Sequence, residues 1–144
     1  MAKKSTNYMV MMEDWFGKLP EIPKGGREAI VAITPWLALI FGILGVIASL
    51  AGFGILTVFS PAMIFFGGRF AGIALLNALL SLIASILLLM AFPGTKKRKT
   101  NGWMMLFYSE VVNVIGAIIA LSLSGVLVSL IAFYLLFQIK SYYK

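Results

Sequence analysis

Three stretches of this chain carry no charged side chain: from Glu28 to Arg69, from Arg69 to Lys96, and from Glu110 to Lys140. A helix crossing a bilayer needs roughly 20 mostly apolar residues at about 1.5 Å each. The runs accommodate four crossings, at 33–56, 70–92, 103–121 and 123–139. The expected fold is therefore all-α: a polytopic integral membrane protein with four transmembrane helices. Composition agrees, since 61% of the 144 residues are hydrophobic and only 12% charged, against about 25% charged in a soluble domain.

The first run is long enough for two passes turning at Gly52-Phe53-Gly54. That would carry Lys96-Lys97-Arg98-Lys99 to the outer side, against the positive-inside rule. One crossing followed by a short helix on the outer surface is preferred. Ser60-Pro61 supplies an N-cap and a first-turn proline for that helix, and Gly67-Gly68 is expected to break it. The last crossings have one rival, a single tilted span from about Val111 to Ile139, because the turn at Ser122 to Gly125 is tight.

Four crossings place both termini and the Lys96, Lys97, Arg98, Lys99 loop on one side. Lys3, Lys4, Lys18, Lys24 and Arg27 precede the first crossing, and Lys140 and Lys144 follow the last. Only Arg69 falls on the other side. The expected location is a cytoplasmic (inner) membrane with both termini cytoplasmic. The net charge of +7 then serves orientation and anionic lipid, with the 96–99 loop as the lipid contact. That loop lacks interleaved aromatics, so nucleic acid is not an expected partner.

Residues 1–28 form a separate N-terminal segment, and 29–144 the transmembrane domain. The basic start is not followed by a signal-peptide core and cleavage site. Tyr8, Met12, Trp15, Phe16 and Leu19 instead follow helical spacing, as in an amphipathic helix on the cytoplasmic leaflet or against a partner protein. Leu19-Pro20-Glu21-Ile22-Pro23 ends it. No long internal repeat supports an inverted-repeat transporter.

Three stretches carry a resemblance: Ile30 to Leu44 with Pro35-Trp36; Lys99 to Trp103 followed by Leu106-Phe107-Tyr108-Ser109; and the ending Leu135 to Lys144. Together they resemble a group of uncharacterised small polytopic membrane proteins from candidate-phylum bacteria. The resemblance implies a bacterial cytoplasmic membrane and four helices, and no activity.

Within the first crossing Ala38, Gly42, Gly45, Ser49 and Gly52 recur every three or four residues and make one small-residue stripe. In lipid such stripes let helix backbones approach closely, either within the chain or between copies. Gly116 with Ala120, and Gly125 with Ser129 and Ala132, suggest further close contacts. Asn77, Ser81 and Ser85 share a face of the second crossing, and Glu110 and Asn113 one of the third. Counted from their cytoplasmic ends, Ser85 matches Glu110 in depth and Ser81 matches Asn113, so a polar seam between these helices is expected. Glu110 is the lone acid inside a crossing, which makes these five residues a possible proton or ion site. Anchoring near the interface is the competing role. Arg69 reads as a phosphate anchor, and Trp36, Trp103, Tyr108, Tyr142 and Tyr143 as an inner aromatic belt.

The chain contains neither Cys nor His, which excludes thiolate and imidazole chemistry and the usual zinc sites. No phosphate-cradling glycine loop, nucleophile elbow or catalytic carboxylate pair is present. The expected function is non-enzymatic and cofactor-free: an oligomeric or complex-forming membrane component, with anionic lipids and other helices as partners. The alternative is a proton- or cation-coupled small-molecule transporter using Glu110.

Overall fold

The computed structural model describes the backbone of residues 2–144 and all side chains except those of 1–7, 60, 63, 64, 66 and 67. Among the described residues there are four α-helices: α1 (Ala2–Phe16), α2 (Lys24–Lys96), α3 (Thr100–Ile119) and α4 (Leu123–Ile139). A short 3-10 turn, Lys140–Tyr142, follows α4. Four stretches are long and apolar enough to cross a membrane: Lys24–Phe59, Gly68–Lys96, Thr100–Ile119 and Leu123–Tyr142. The protein is all-α and multi-pass.

A straight helix of 73 residues would be about 110 Å long. Yet Ser49 Oγ donates to Ser81 Oγ at 3.2 Å. A Cβ on Gly42 would meet Leu89, and one on Gly45 would meet Ser85. Each of these pairs is centred on Phe65 or its neighbour. α2 is therefore a hairpin of two limbs, Lys24–Phe59 and Gly68–Lys96, with its corner inside the helical stretch.

The expected short surface helix broken at Gly67-Gly68 does not form; helix runs from Lys24 to Lys96 through Pro61 and both glycines. The side chains of Ser60 and Gly67, and of Lys3, Lys4, Thr6 and Asn7 in α1, lie outside the described residues.

The small-residue stripe packs the two limbs together. Ala38, Gly42 and Ser49 are buried, and the Ser49 hydroxyl also donates to Gly45 O at 2.7 Å. Gly52 does not join this contact: a Cβ there would meet nothing within 4 Å.

α3 and α4 are two helices, not one tilted span. The α2–α3 and α3–α4 turns each close with a Schellman pattern. At the end of α2, Lys99 N donates to Gly94 O (2.8 Å) and Arg98 N to Thr95 O (3.0 Å). At the end of α3, Ser122 N donates to Ala117 O (2.8 Å) and Leu121 N to Ile118 O (3.0 Å). The left-handed positions, usually glycine, are Arg98 (φ 51°) and Leu121 (φ 52°). A residue with a Cβ costs roughly 1–2 kcal/mol in that conformation.

The core sits at the end of the bundle that carries the basic loop. Val31, Trp103, Phe107, Phe133, Ile139 and Tyr143 form it, with Met9, Met12 and Phe16 of α1 packed against it. Phe16 stacks on Phe137 at 5.2 Å, and Lys140 bridges Glu13 at 2.6 Å. The Tyr134 hydroxyl donates to Pro20 O, and Ile22 N donates to the Gln138 side chain at 3.3 Å. Lys144 N donates to Arg98 O at 2.9 Å, which clasps the chain end to the 96–99 loop.

Two expectations change here. The apolar residues of α1 divide between two faces: Met12 and Phe16 turn onto the bundle, while Tyr8, Met11 and Trp15, and Leu19 just beyond the helix, stay exposed. Trp103 and Tyr143 belong to the core and not to an aromatic belt, being 1% and 6% exposed. The indole of Trp103 donates to Leu136 O at 2.8 Å, which satisfies its N–H inside the bundle. Trp36 and Tyr108 do face outward.

Candidate functional site

Glu110 lies midway along α3 and is half-buried. Asn113, nearly one helical turn further on, shares its face. The carboxyl stands beside Asn113 and beside Ser129, which α4 presents from across the hairpin. Ser129 is buried because Gly125, one turn earlier, lets α4 close on α3: a Cβ on Gly125 would lie 2.9 Å from the Ala117 methyl. Glu110, Asn113, Ser122, Ser124 and Ser129 line an open groove of about 430 Å³ between the two helices.

A second, smaller groove of about 140 Å³ runs along the other flank of α3, between it and the second limb of α2. Asn77, Ser81, Asn113 and Ser122 contribute its polar groups. Gly116 makes room here, since a Cβ on it would lie 3.0 Å from Asn77 Oδ1. Asn113 and Ser122 line both grooves. Asn113 and Ser81 are exposed on helix faces otherwise covered by apolar side chains such as Ile83, Ile86, Ile115 and Ile118.

The five residues expected to form one seam are thus divided. Asn77, Ser81, Asn113 and Glu110 are brought to adjoining grooves. Ser85 is not: it is buried against Gly45 of the first limb, and its hydroxyl donates to Ser81 O at 2.7 Å. Glu110 accordingly faces Ser129 of α4, not Ser85. Depth alone matched Glu110 with Ser85. Depth does not report the rotation of a helix about its axis, and the backbone contact between Gly94 and Gly102 fixes that rotation. Ser122, Ser124 and Ser129 were missed; Ser129 was legible only as part of a small-residue packing stripe.

At the basic end, the Lys96 ammonium lies 5.5 Å from the Trp36 ring and 5.7 Å from that of Phe92. Lys97, Arg98 and Lys99 are exposed beside it. Four adjacent cations at the end of apolar helices, one held against aromatic faces, suit a phosphate layer.

No protein-family model, curated protein or solved structure matches the chain. The chemistry available is that of one carboxyl, two carboxamides and a set of hydroxyls. Such a set can hydrogen-bond a helix backbone or side chain, or hold a proton or a hydrated cation.

Proposed function

We propose that the protein is a non-enzymatic component of an oligomeric or larger assembly in a bacterial cytoplasmic membrane. Both termini and the 96–99 loop face the cytoplasm and anionic lipid. The observation that carries this reading is the pair of polar grooves meeting at Asn113 on an otherwise apolar surface. Hydrocarbon offers no hydrogen bonds to Asn113 or the Glu110 carboxyl, so leaving them against lipid is costly. A further transmembrane helix laid over them supplies those bonds, and polar side chains commonly join helices in this way.

The test uses the absence of native cysteine. Asn113→Cys and Ser124→Cys are introduced separately and oxidised in native membranes. A disulfide-linked dimer, or an adduct with another membrane protein that Ile33→Cys does not form, is expected. A chain that stays monomeric with both variants, in membranes and in mild detergent, rejects the assembly.

The second reading is proton- or cation-coupled transport. It is favoured by the opening of Glu110 into the larger groove. It requires Glu110→Gln to fold normally and to abolish proton-coupled flux in reconstituted vesicles.

A further inference from the structure

The two hairpins are of unequal height. Gly116 packs beside Asn77 on the second limb of α2. From that level α3 rises only five more residues to Leu121, about 7.5 Å, whereas the second limb of α2 rises nine residues to Gly68, about 13.5 Å, before the corner begins. The α3–α4 turn therefore stops about 6 Å short of the α2 corner, roughly one helical turn. At the other end α3 starts at Thr100, directly after the Lys96 to Lys99 cations, which belong in a headgroup layer. Twenty residues of helix span about 30 Å, the thickness of the hydrocarbon alone. Starting from the headgroups, α3 reaches its turn before the hydrocarbon ends.

We infer that the α3–α4 turn is lodged among the lipid acyl chains of the far leaflet, and that the α2 corner alone reaches the surface on that side.

The chemistry of the turn fits that medium. Residues 118–125 contain no charged group. Ala120, Leu121, Ser122, Gly125 and Val126 each have the backbone N–H bonded within the turn, to Gly116 O, Ile118 O, Ala117 O, Ser122 Oγ and Ser122 O. The two serine hydroxyls also bond each other at 3.3 Å. The N–H groups of Leu123 and Ser124, in the first turn of α4, carry no bond among the described residues, and the others are satisfied as irregular backbone at membrane depth requires. The outward side chains are aliphatic: Leu121 is 91% exposed and Leu123 74%. A turn in water would gain by placing glycine or asparagine at the left-handed position, where Leu121 stands with φ 52°.

The experiment compares two tips of equal openness, Leu121 and Phe65, the latter 89% exposed. Single cysteines at Leu121, Leu123 or Phe65 are spin-labelled, and the protein is reconstituted into phosphatidylcholine–phosphatidylglycerol vesicles. Collision with oxygen, which concentrates in lipid, is measured against collision with a water-soluble nickel chelate. At Leu121→Cys, high oxygen and lost chelate accessibility are expected, and at Phe65→Cys the reverse. Leu123→Cys repeats the turn measurement if Leu121→Cys does not fold, with helical circular dichroism as the check. Chelate accessibility at the turn equal to that at Phe65 overturns the inference. Low accessibility to both reagents at the turn overturns it too, because protein would then cover the tip. A lipid-like response at Phe65 also rejects it, since the corner would not reach the surface.

Discussion

Gly94 and Gly102 meet backbone on backbone where α2 passes into α3: a methyl on Gly94 would lie 2.6 Å from the Gly102 Cα. A methyl on Gly102 would strike Thr95 N and the Gly94 carbonyl carbon. Neither obstacle is a side chain that can turn away. This contact sets the rotation of α3, and with it the direction in which Glu110 and Asn113 face.

Gly102→Ala is expected to destabilise the fold by about 1–3 kcal/mol, the usual cost of overpacking. Gly52→Ala, in a helix with open space at its Cβ, should be neutral or gain about 0.5–1 kcal/mol. Thermal unfolding of the two variants in one detergent checks the difference. Equal melting temperatures would mean that the glycine contact does not hold the hairpins together.

Glu110→Leu should destabilise the protein by about 1–3 kcal/mol, because it leaves Ser129 buried without its carboxyl neighbour. Glu110→Gln keeps a hydrogen-bonding group at the same place and should retain most of the stability. The ranking of parent, Gln and Leu in thermal unfolding gives the answer. A Leu variant more stable than the parent would show that Glu110 contributes nothing to packing at the groove.

The N-terminal helix is fastened by stacking more than by charge. Phe16→Ala removes the ring facing Phe137 and should weaken docking by about 1 kcal/mol. Glu13→Gln opens the partly exposed bridge to Lys140 and should cost less, within about 0.2–1 kcal/mol. Tryptic cleavage after Lys18 and Lys24 reports undocking. The rate should rise more for Phe16→Ala than for Glu13→Gln, and the reverse order would assign the docking to the ion pair.

Burial pushes the Tyr143 phenol above its ordinary range, with Thr34 and Arg98 opposing. Its hydroxyl is buried and makes no hydrogen bond; the neighbouring Thr34 donates its own to Ile30 O at 2.6 Å. The folded protein holds this proton more tightly than the unfolded chain does. The contribution to stability is therefore complete below about pH 10 and lost as the pH rises through the elevated value. Tyr143→Phe should flatten the alkaline decline and leave stability at neutral pH unchanged or slightly raised. An unaltered alkaline decline in the variant would place the titration on another group.

The uncharged runs and the clustered cations were enough to read an all-α membrane chain with four crossings, because solvation of charge and of backbone leaves so few ways to cross a bilayer. The small residues from Ala38 to Ser49 were likewise legible as a close helix contact, since their spacing follows the helical repeat. Sequence could not decide which faces meet. Gly52 continues the same stripe, yet the space where its Cβ would stand is open. Met12 and Phe16 share a helix with Tyr8 and Trp15, but only the first two find the core. Glu110 matches Ser85 in height and turns instead to Ser129, as the contact between Gly94 and Gly102 dictates. Height along a helix is a local count of residues, whereas rotation about its axis is settled by steric contacts between helices, which a count of residues does not show. That rotation, together with the shorter reach of α3 and α4, places the polar grooves and the buried tip.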